Sequence, residues 1–331
     1  MKKRKLGKTD LEITEIGYGT WGLGGVYYGE VEDNQGIESV KAYLDAGGNH
    51  LDSAYSYHKA EEIVGRAIKG YDRDKLVLSS KSYAGSFDMD RAKELPKECE
   101  ISLRDLGTDY LDIYMIHGAP TQKDHMEALI DEFEKLKDQG KIRYIGASIP
   151  GPQVNDESVE RALMHIQSGR IDMLEITYSI ARQKLGKIFE SAKTAGVGLV
   201  GRWVLESGML SGKYAPGHEF VWPDTRNRYR PAERDAMLTV GQEIKEMLPE
   251  GYESAVQMAA AFALAEDAIS GIILGGVKPE QVRQNMKIGE LPPLPGDLVT
   301  RLKEMYADRN DEFNPTGEFE HVKSIRKPLD E

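Results

Sequence analysis

Eight short apolar runs, separated by stretches of helical periodicity, restrict this sequence to a few folds. The runs are Glu15–Gly19, His50–Asp52, Leu76–Ser80, Leu111–Ile116, Tyr144–Ala147, Met173–Thr177, Val197–Val200 and Gly271–Leu274. Between them Met126, Leu129, Ile130, Phe133 and Leu136 recur at steps of three and four, after a capping Asp124 and before a stopping Gly140. Val159, Ala162, Leu163 and Ile166 repeat the pattern before Gly169, as do Leu185, Ile188, Phe189 and Ala192 before Gly196. Pro96 suits a first helical turn, so the helix carrying Cys99, Leu103 and Leu106 begins there. Eight strands alternating with helices predict an α/β fold, a closed (β/α)8 TIM-type barrel over about residues 15–289. An open doubly wound sheet would usually have fewer consecutive units and a phosphate loop after its first strand.

Gly17-Tyr18-Gly19-Thr20-Trp21-Gly22 matches such a loop in spelling. The motif needs its third glycine inside an opening helix, whereas Leu23-Gly24-Gly25-Val26-Tyr27-Tyr28-Gly29 follows and helical spacing resumes near Gln35. The match is therefore read as accidental, and the segment as the first barrel strand with a flexible loop over the site. Lys5–Leu6 and Glu12–Ile13 predict a small N-terminal hairpin. Tyr214 to Pro231 reads as a long loop after the seventh strand, on the catalytic face. The tail from about Leu294 to Glu331 is charged, with one helix near Val299–Tyr306, and either covers the mouth or trails in solvent. Without an internal repeat or linker, residues 1–331 are expected to form one domain.

The net charge of −12 disfavours nucleic acid and anionic lipid as partners. An anionic cofactor then needs local cations, for which Arg202, Lys213, Arg226 and Lys278 are candidates. A membrane span and a signal peptide are not expected. The single Cys99 excludes an internal disulfide framework and fits a reducing cytoplasm. The seven histidines show no metal-binding pair.

Asp52, Lys81 and His117 each close an apolar run, and Tyr57 lies five residues beyond Asp52. Singly, these would be a turn cap, a packed aromatic, a solvated charge and a satisfied histidine. Jointly, at neighbouring strand ends, they form a proton-handling set. Reducing a carbonyl with hydride requires a proton at its oxygen. A free phenol is a weak acid, with a pKa of about 10, and an adjacent ammonium should lower that value. Lys81 is read as that ammonium, Asp52 as its partner, His117 as a donor to the substrate oxygen, and Tyr57 as the general acid.

Leu51-Asp52-Ser53-Ala54-Tyr55-Ser56-Tyr57, Ser80-Lys81 and Ile116-His117-Gly118-Ala119-Pro120 resemble, in order and spacing, the signatures of the aldo-keto reductase family. The likeness runs from Lys5-Leu6-Gly7 through Gly140–Gly146 and Ser207–Tyr214 to Asn285. It implies a TIM-type barrel, an extended nicotinamide dinucleotide and an Asp-Tyr-Lys-His tetrad filled at all four positions. By resemblance Thr20 and Trp21 lie beside the nicotinamide and Ser148 binds its carboxamide. Leu205 to Ser207 and Lys213 hold the pyrophosphate, and Arg226 folds over it as a clasp. Gly275, Gln281, Gln284 and Asn285 align with the adenosine end, Asn285 reading the adenine amine.

Three positions depart from the family pattern. Ile149 stands where Asn or Arg is usual. Glu175 replaces a carboxamide-binding Gln, and Arg202, beside Trp203, replaces the aromatic that stacks on the nicotinamide. Arg202 either favours the reduced, neutral ring or pairs with Glu175. Lys278 is the one basic residue near the expected 2′-phosphate position, and NADP(H) is preferred to NAD(H) on the family's habit. The resulting expectation is an oxidoreductase for an aldehyde, ketone or sugar-like carbonyl. Tyr27, Tyr28, Tyr55, His58, Tyr83 and Trp222 are candidates to line its pocket. The alternative is a cofactor-sensing regulatory subunit resembling the potassium-channel β subunits. Oligomeric state is not legible.

Overall fold

A computed structural model describes residues 1–25, 29–151, 153–222 and 224–313. A two-stranded antiparallel hairpin, β1 (Lys3–Lys5) and β2 (Glu12–Thr14), precedes eight parallel strands. These are β3 (Ile16–Gly19), β4 (His50–Asp52), β5 (Val77–Ser82), β6 (Leu111–His117), β7 (Ile142–Ser148), β8 (Met173–Thr177), β9 (Gly198–Arg202) and β10 (Ile269–Gly275). They pair in sequence order, and β10 closes the barrel by bonding both β9 and β3. The hairpin begins two residues earlier than expected, at Lys3.

The period of two along each strand sorts the barrel interior into layers. Val77, Ile113, Met115, Met173 and Val200 form an apolar layer together with Leu6, Leu11 and Ile13, which seal the amino-terminal end. Arg4 fixes the plug by donating to the carbonyls of Leu264 (2.8 Å) and Ile269 (2.9 Å). Two residues further along the same strands come Ser79, then Lys81, and likewise His117, Glu175 and Arg202. The polar layer therefore lies at the carboxyl ends of the strands.

The helices behave as their spacing predicts. In α4 (Lys123–Asp138) Met126, Leu129, Ile130, Phe133 and Leu136 are all buried. Asp124 is not its cap. The helix starts from Gln122, without a side-chain cap bond, and Asp124 contributes negative charge to the first turn. In α3 (Leu95–Leu106) Pro96 stands in the first turn and Cys99 is buried, its thiol pushed up to about 12 by burial. The glycine-rich stretch after β3 makes a short 3-10 turn, Trp21–Gly24, and helix α1 begins only at Asp33 (Asp33–Asp45), as the rejection of the dinucleotide motif requires. After the last barrel strand, α10 (Gly296–Tyr306) and the turn Ala307–Phe313 bury Leu302, Tyr306 and Phe313. Asn310 Nδ2 donates to the Val154 carbonyl (2.6 Å), tying this segment to the loop after β7. Tail residues 314–331, and Tyr27 and Tyr28, lie outside the described residues.

Candidate active site

Asp52 is the last residue of β4, Lys81 is the fifth of six in β5, and His117 ends β6. Parallel pairing in register brings their side chains to one mouth. Lys81 Nζ donates to Asp52 Oδ2 (2.6 Å), Asp52 Oδ1 (2.7 Å) and the Ser53 carbonyl (2.8 Å), so the ammonium's three protons are all engaged. Ser79 Oγ donates to Asp52 Oδ1 (3.0 Å) and lies 3.1 Å from His50 Nε2, extending the network inward. Thr20 Oγ1, expected at the nicotinamide, is 3.0 Å from the Asp52 carbonyl and 2.9 Å from Ser53 Oγ, and so braces the β4 end.

Tyr57 follows on a turn whose carbonyl Gly24 approaches closely; a β-carbon on Gly24 would lie 2.7 Å from it. The Tyr57 ring meets His117 edge-on, with centroids 5.8 Å apart at 77°, and Lys81 Nζ lies 5.3 Å from the Tyr57 ring centre. Tyr83 stacks on the His117 imidazole.

The electrostatics correct one expectation. Lys81 does not bring the phenol down: the Tyr57 hydroxyl is held well above its ordinary value, by burial first and then by the Asp52 and Glu175 carboxylates and Tyr83, with Arg202 opposing. The lysine's charge is balanced by the carboxylate it grips. His117 is held well below its ordinary value by burial, Lys81 and Arg202, and is neutral at pH 7. Glu175 is raised by burial, against the pull of Lys81. The mouth thus presents a protonated phenol and an uncharged imidazole.

Across the barrel the charges alternate. Glu175 Oε1 is 3.8 Å from Lys81 Nζ, and Glu175 Oε2 is 3.9 Å from Arg202 Nε. The expected Glu175–Arg202 ion pair exists in this loose form, and Arg202 Nη2 also donates to the Ile149 carbonyl (2.7 Å). Ser148, at the end of β7, is in register with both His117 and Glu175. Trp203, half-buried and in the left-handed region at φ 56°, sits by the guanidiniums of Arg202 (5.8 Å) and Arg182 (5.2 Å).

Beyond β9, Glu206 and Ser207 also adopt positive φ (48° and 55°), an uncommon run for residues other than glycine. Leu205 accepts from the Gly208 amide (2.8 Å). Buried Arg182 holds Glu206 from below, with Nε 3.0 Å from Oε1 and Nη2 on Oε2. Arg226 reaches the same turn as a clasp would, donating to the Ser207 carbonyl (3.3 Å), although its charge is shared with Asp224 (2.6 Å). Lys213 is exposed, 5.2 Å from the Tyr214 ring centre. After β10, Lys278 starts helix α9 (Pro279–Met286), and Gln281 Oε1 accepts from the Lys278 amide (3.3 Å). Asn285 Nδ2 donates to the Gly275 carbonyl (3.0 Å), and Gln284 is exposed on the same helix. Of the expected pocket residues Tyr55 is buried, Tyr83 and His58 are half-buried, and Trp222 is 72% exposed. Sequence reasoning missed the Arg182–Glu206 pair and the His50–Ser79 support of Asp52.

Among the described residues no helix is long and apolar enough to cross a membrane, and no cluster suits a metal ion.

The closed barrel of eight parallel strands, with its polar layer at the carboxyl mouth and helices around it, is of the (β/α)8 class. Within that class the chain belongs to the Aldo/keto reductase family, whose model matches residues 15–307. It is 29% identical to the uncharacterized oxidoreductase YqkF of Bacillus subtilis (strain 168), over 92% of this chain and 96% of that one. It is 28% identical to the NADH-specific methylglyoxal reductase of Escherichia coli (strain K12), over 86% and 93% of the two chains. Among solved structures, the holo form of aldo-keto reductase AKR11C1 from Bacillus halodurans superposes with a TM-score of 0.72 at 27% identity, covering 94% of this chain and 99% of that one.

Proposed function

We propose that this protein is a cytoplasmic NAD(P)(H)-dependent reductase of an aldehyde, ketone or sugar-like carbonyl, with Tyr57 as its general acid. The convergence of Tyr57, His117 and the Lys81–Asp52 pair on one mouth carries the reading. A dinucleotide suits the remaining groups. Glu175 Oε2 and Arg202 Nε are buried without hydrogen-bond partners, which a polar ring substituent would supply. Lys213 and Arg226 offer cationic charge for a pyrophosphate beside the Leu205–Ser207 turn, on a chain otherwise carrying −12. Trp21, Thr20, Ser148 and Trp203 border the ring end, and Gly275, Lys278, Gln281, Gln284 and Asn285 the adenosine end.

When bound, the reduced cofactor would supply hydride to the carbonyl carbon. This chain's residues handle the oxygen. Neutral His117 can donate one hydrogen bond to it and so orient it. The Tyr57 hydroxyl, protonated across the physiological range, gives its proton as negative charge develops. Lys81 and Asp52 fix the polar end of the site and limit rearrangement during charge transfer. A phenol held above its ordinary value rests protonated near neutral pH, the state from which a proton can be given.

The named E. coli relative guides the substrate panel: small aldehydes and dicarbonyls come first. Tyr57→Phe should abolish reduction while leaving cofactor affinity within about twofold, since it removes the proton and little surface. Substantial residual turnover would remove Tyr57 from this role. The preference for NADPH rests on family habit and Lys278; Lys278→Ala should then narrow any NADPH-over-NADH gap in affinity. Multiple fast turnovers support the enzyme, whereas very slow cofactor release would favour the regulatory-subunit alternative.

A further inference from the structure

Asp52 Oδ1 takes two donors. Lys81 Nζ reaches it at 2.7 Å and Ser79 Oγ at 3.0 Å, while Asp52 Oδ2 accepts a second Lys81 proton at 2.6 Å. Behind Ser79, deeper in the barrel, stands the buried His50, with Nε2 3.1 Å from Ser79 Oγ. Its other ring nitrogen, Nδ1, is buried with no hydrogen-bond partner among the described residues. Nδ1 lies against Gly17 of β3, where a β-carbon would come within 3.0 Å of it, so a larger residue would crowd the imidazole.

The Ser79 hydroxyl has one proton, and His50 decides where it goes. Burial first, and then the Lys81 charge, bring the imidazole's pKa down to about 4, against Glu175 and Asp112. The ring is therefore neutral at pH 7, with its single proton on one nitrogen or the other. With that proton on Nε2, His50 donates to Ser79 Oγ. The hydroxyl then turns its own proton to Asp52 Oδ1, which is charged and nearer than the Leu51 carbonyl at 3.3 Å. With the proton on Nδ1, a buried N–H points at no acceptor, Nε2 draws the Ser79 proton, and the carboxylate loses it. A charge-assisted hydrogen bond is roughly twice as strong as a neutral one, so the first arrangement is the stable one.

We infer that His50 is held as its Nε2–H tautomer and, through Ser79, positions the Asp52 carboxylate that grips Lys81. Every donor in the line then runs toward Asp52: Nε2–H to Oγ, Oγ–H to Oδ1, and Nζ–H to Oδ1 from the other side. Without the Ser79 proton, Oδ1 keeps Lys81 alone, and the carboxylate can turn about its Cβ–Cγ bond and carry the ammonium with it. His50 is a positioning residue, acting on the mouth only through the two side chains above it. Its effect on turnover rests on the reductase reading above; its tautomer does not.

Two measurements on the full-length protein test this. Long-range proton–nitrogen NMR correlation of isotope-labelled wild type, with the His50 ring assigned from its through-space contacts to Gly17 and Ser79, should show Nε2 protonated and Nδ1 bare from about pH 6 to pH 8. A protonated Nδ1 overturns the proposal. In steady-state carbonyl reduction, His50→Leu, which removes the donor, should lower kcat roughly two- to tenfold, the strength of one hydrogen bond, with KM and cofactor affinity unchanged. His50→Gln, which offers an amide N–H in place of Nε2–H, should return kcat to within about twofold of wild type. Ser79→Ala should lose as much as His50→Leu, and the two together should lose no more than either, since both cut the same line. Losses that multiply in the double variant, or equal falls in His50→Gln and His50→Leu, count against the proposal as firmly as the wrong tautomer. The NMR measurement uses wild type alone and so decides even where a variant fails to fold. Absence of any NADPH- or NADH-dependent reduction by wild type would sink the reductase reading, with the tautomer still decided.

Discussion

The Tyr83 ring lies parallel to the His117 imidazole, with centroids 3.9 Å apart at 11°. Tyr57 meets the same imidazole edge-on, so the ring is held from two directions. Tyr83→Ala should release one of them. Aromatic pairs contribute about 0.5–1.5 kcal/mol, so kcat for reduction is expected to fall roughly two- to tenfold with cofactor affinity unchanged. Tyr83→Phe, which keeps the ring, should retain nearly full activity in steady-state assays. An equal fall in both variants would assign the effect to the hydroxyl.

Arg182 and Glu206 are both fully buried and bonded to each other. Removing one partner strands a charge, so Arg182→Leu should cost about 3–5 kcal/mol in denaturant unfolding. Adding Glu206→Leu should recover part of this loss. The double variant would still have a disturbed turn at Ser207, and its cofactor affinity should stay low.

A β-carbon on Gly24 would lie 2.7 Å from the Tyr57 carbonyl oxygen, closer than side chains come. Gly24→Ala must displace the Tyr57 backbone, at a cost of about 1–3 kcal/mol. Turnover should drop while cofactor titration changes little. Unaltered turnover would show that the turn yields without moving the phenol.

His165, buried on the helix Asp156–Gln167, has its pKa drawn down to about 4 by burial, against an ordinary 6.5. The unfolded chain binds more protons there between those values, so this group adds stability at higher pH that is lost as pH falls from 6.5 through 4. His165→Leu should flatten the stability profile across that window by up to about 3 kcal/mol, measured by chemical denaturation at several pH values.

The barrel was legible because its signals are local. Runs such as Leu111–Ile116 and the steps of Met126 to Leu136 each declare their own period, and Asp52, Lys81 and His117 mark where runs stop. Parallel in-register pairing does the rest. The partnerships that tune the site are not local. Arg182 and Glu206 sit on different loops, and neither carries any mark of burial in its surroundings. Tyr83 was a pocket candidate, yet nothing in the chain indicates that it lies flat on His117. Asp124 looked like a cap because acidic residues favour both the cap and the first turn. The sign of the Tyr57 shift follows from its burial and from the Asp52 and Glu175 carboxylates around it, which the spacing does not show.

The hairpin that plugs the barrel with Leu6, Leu11 and Ile13 puts the chain's first residues at the pole opposite the reactive mouth. A tether attached at Met1 would therefore orient every molecule on a support in the same way, with its site turned toward the solution. Electrode wiring, surface immobilisation or fusion to a second enzyme that feeds it substrate should be built from that end.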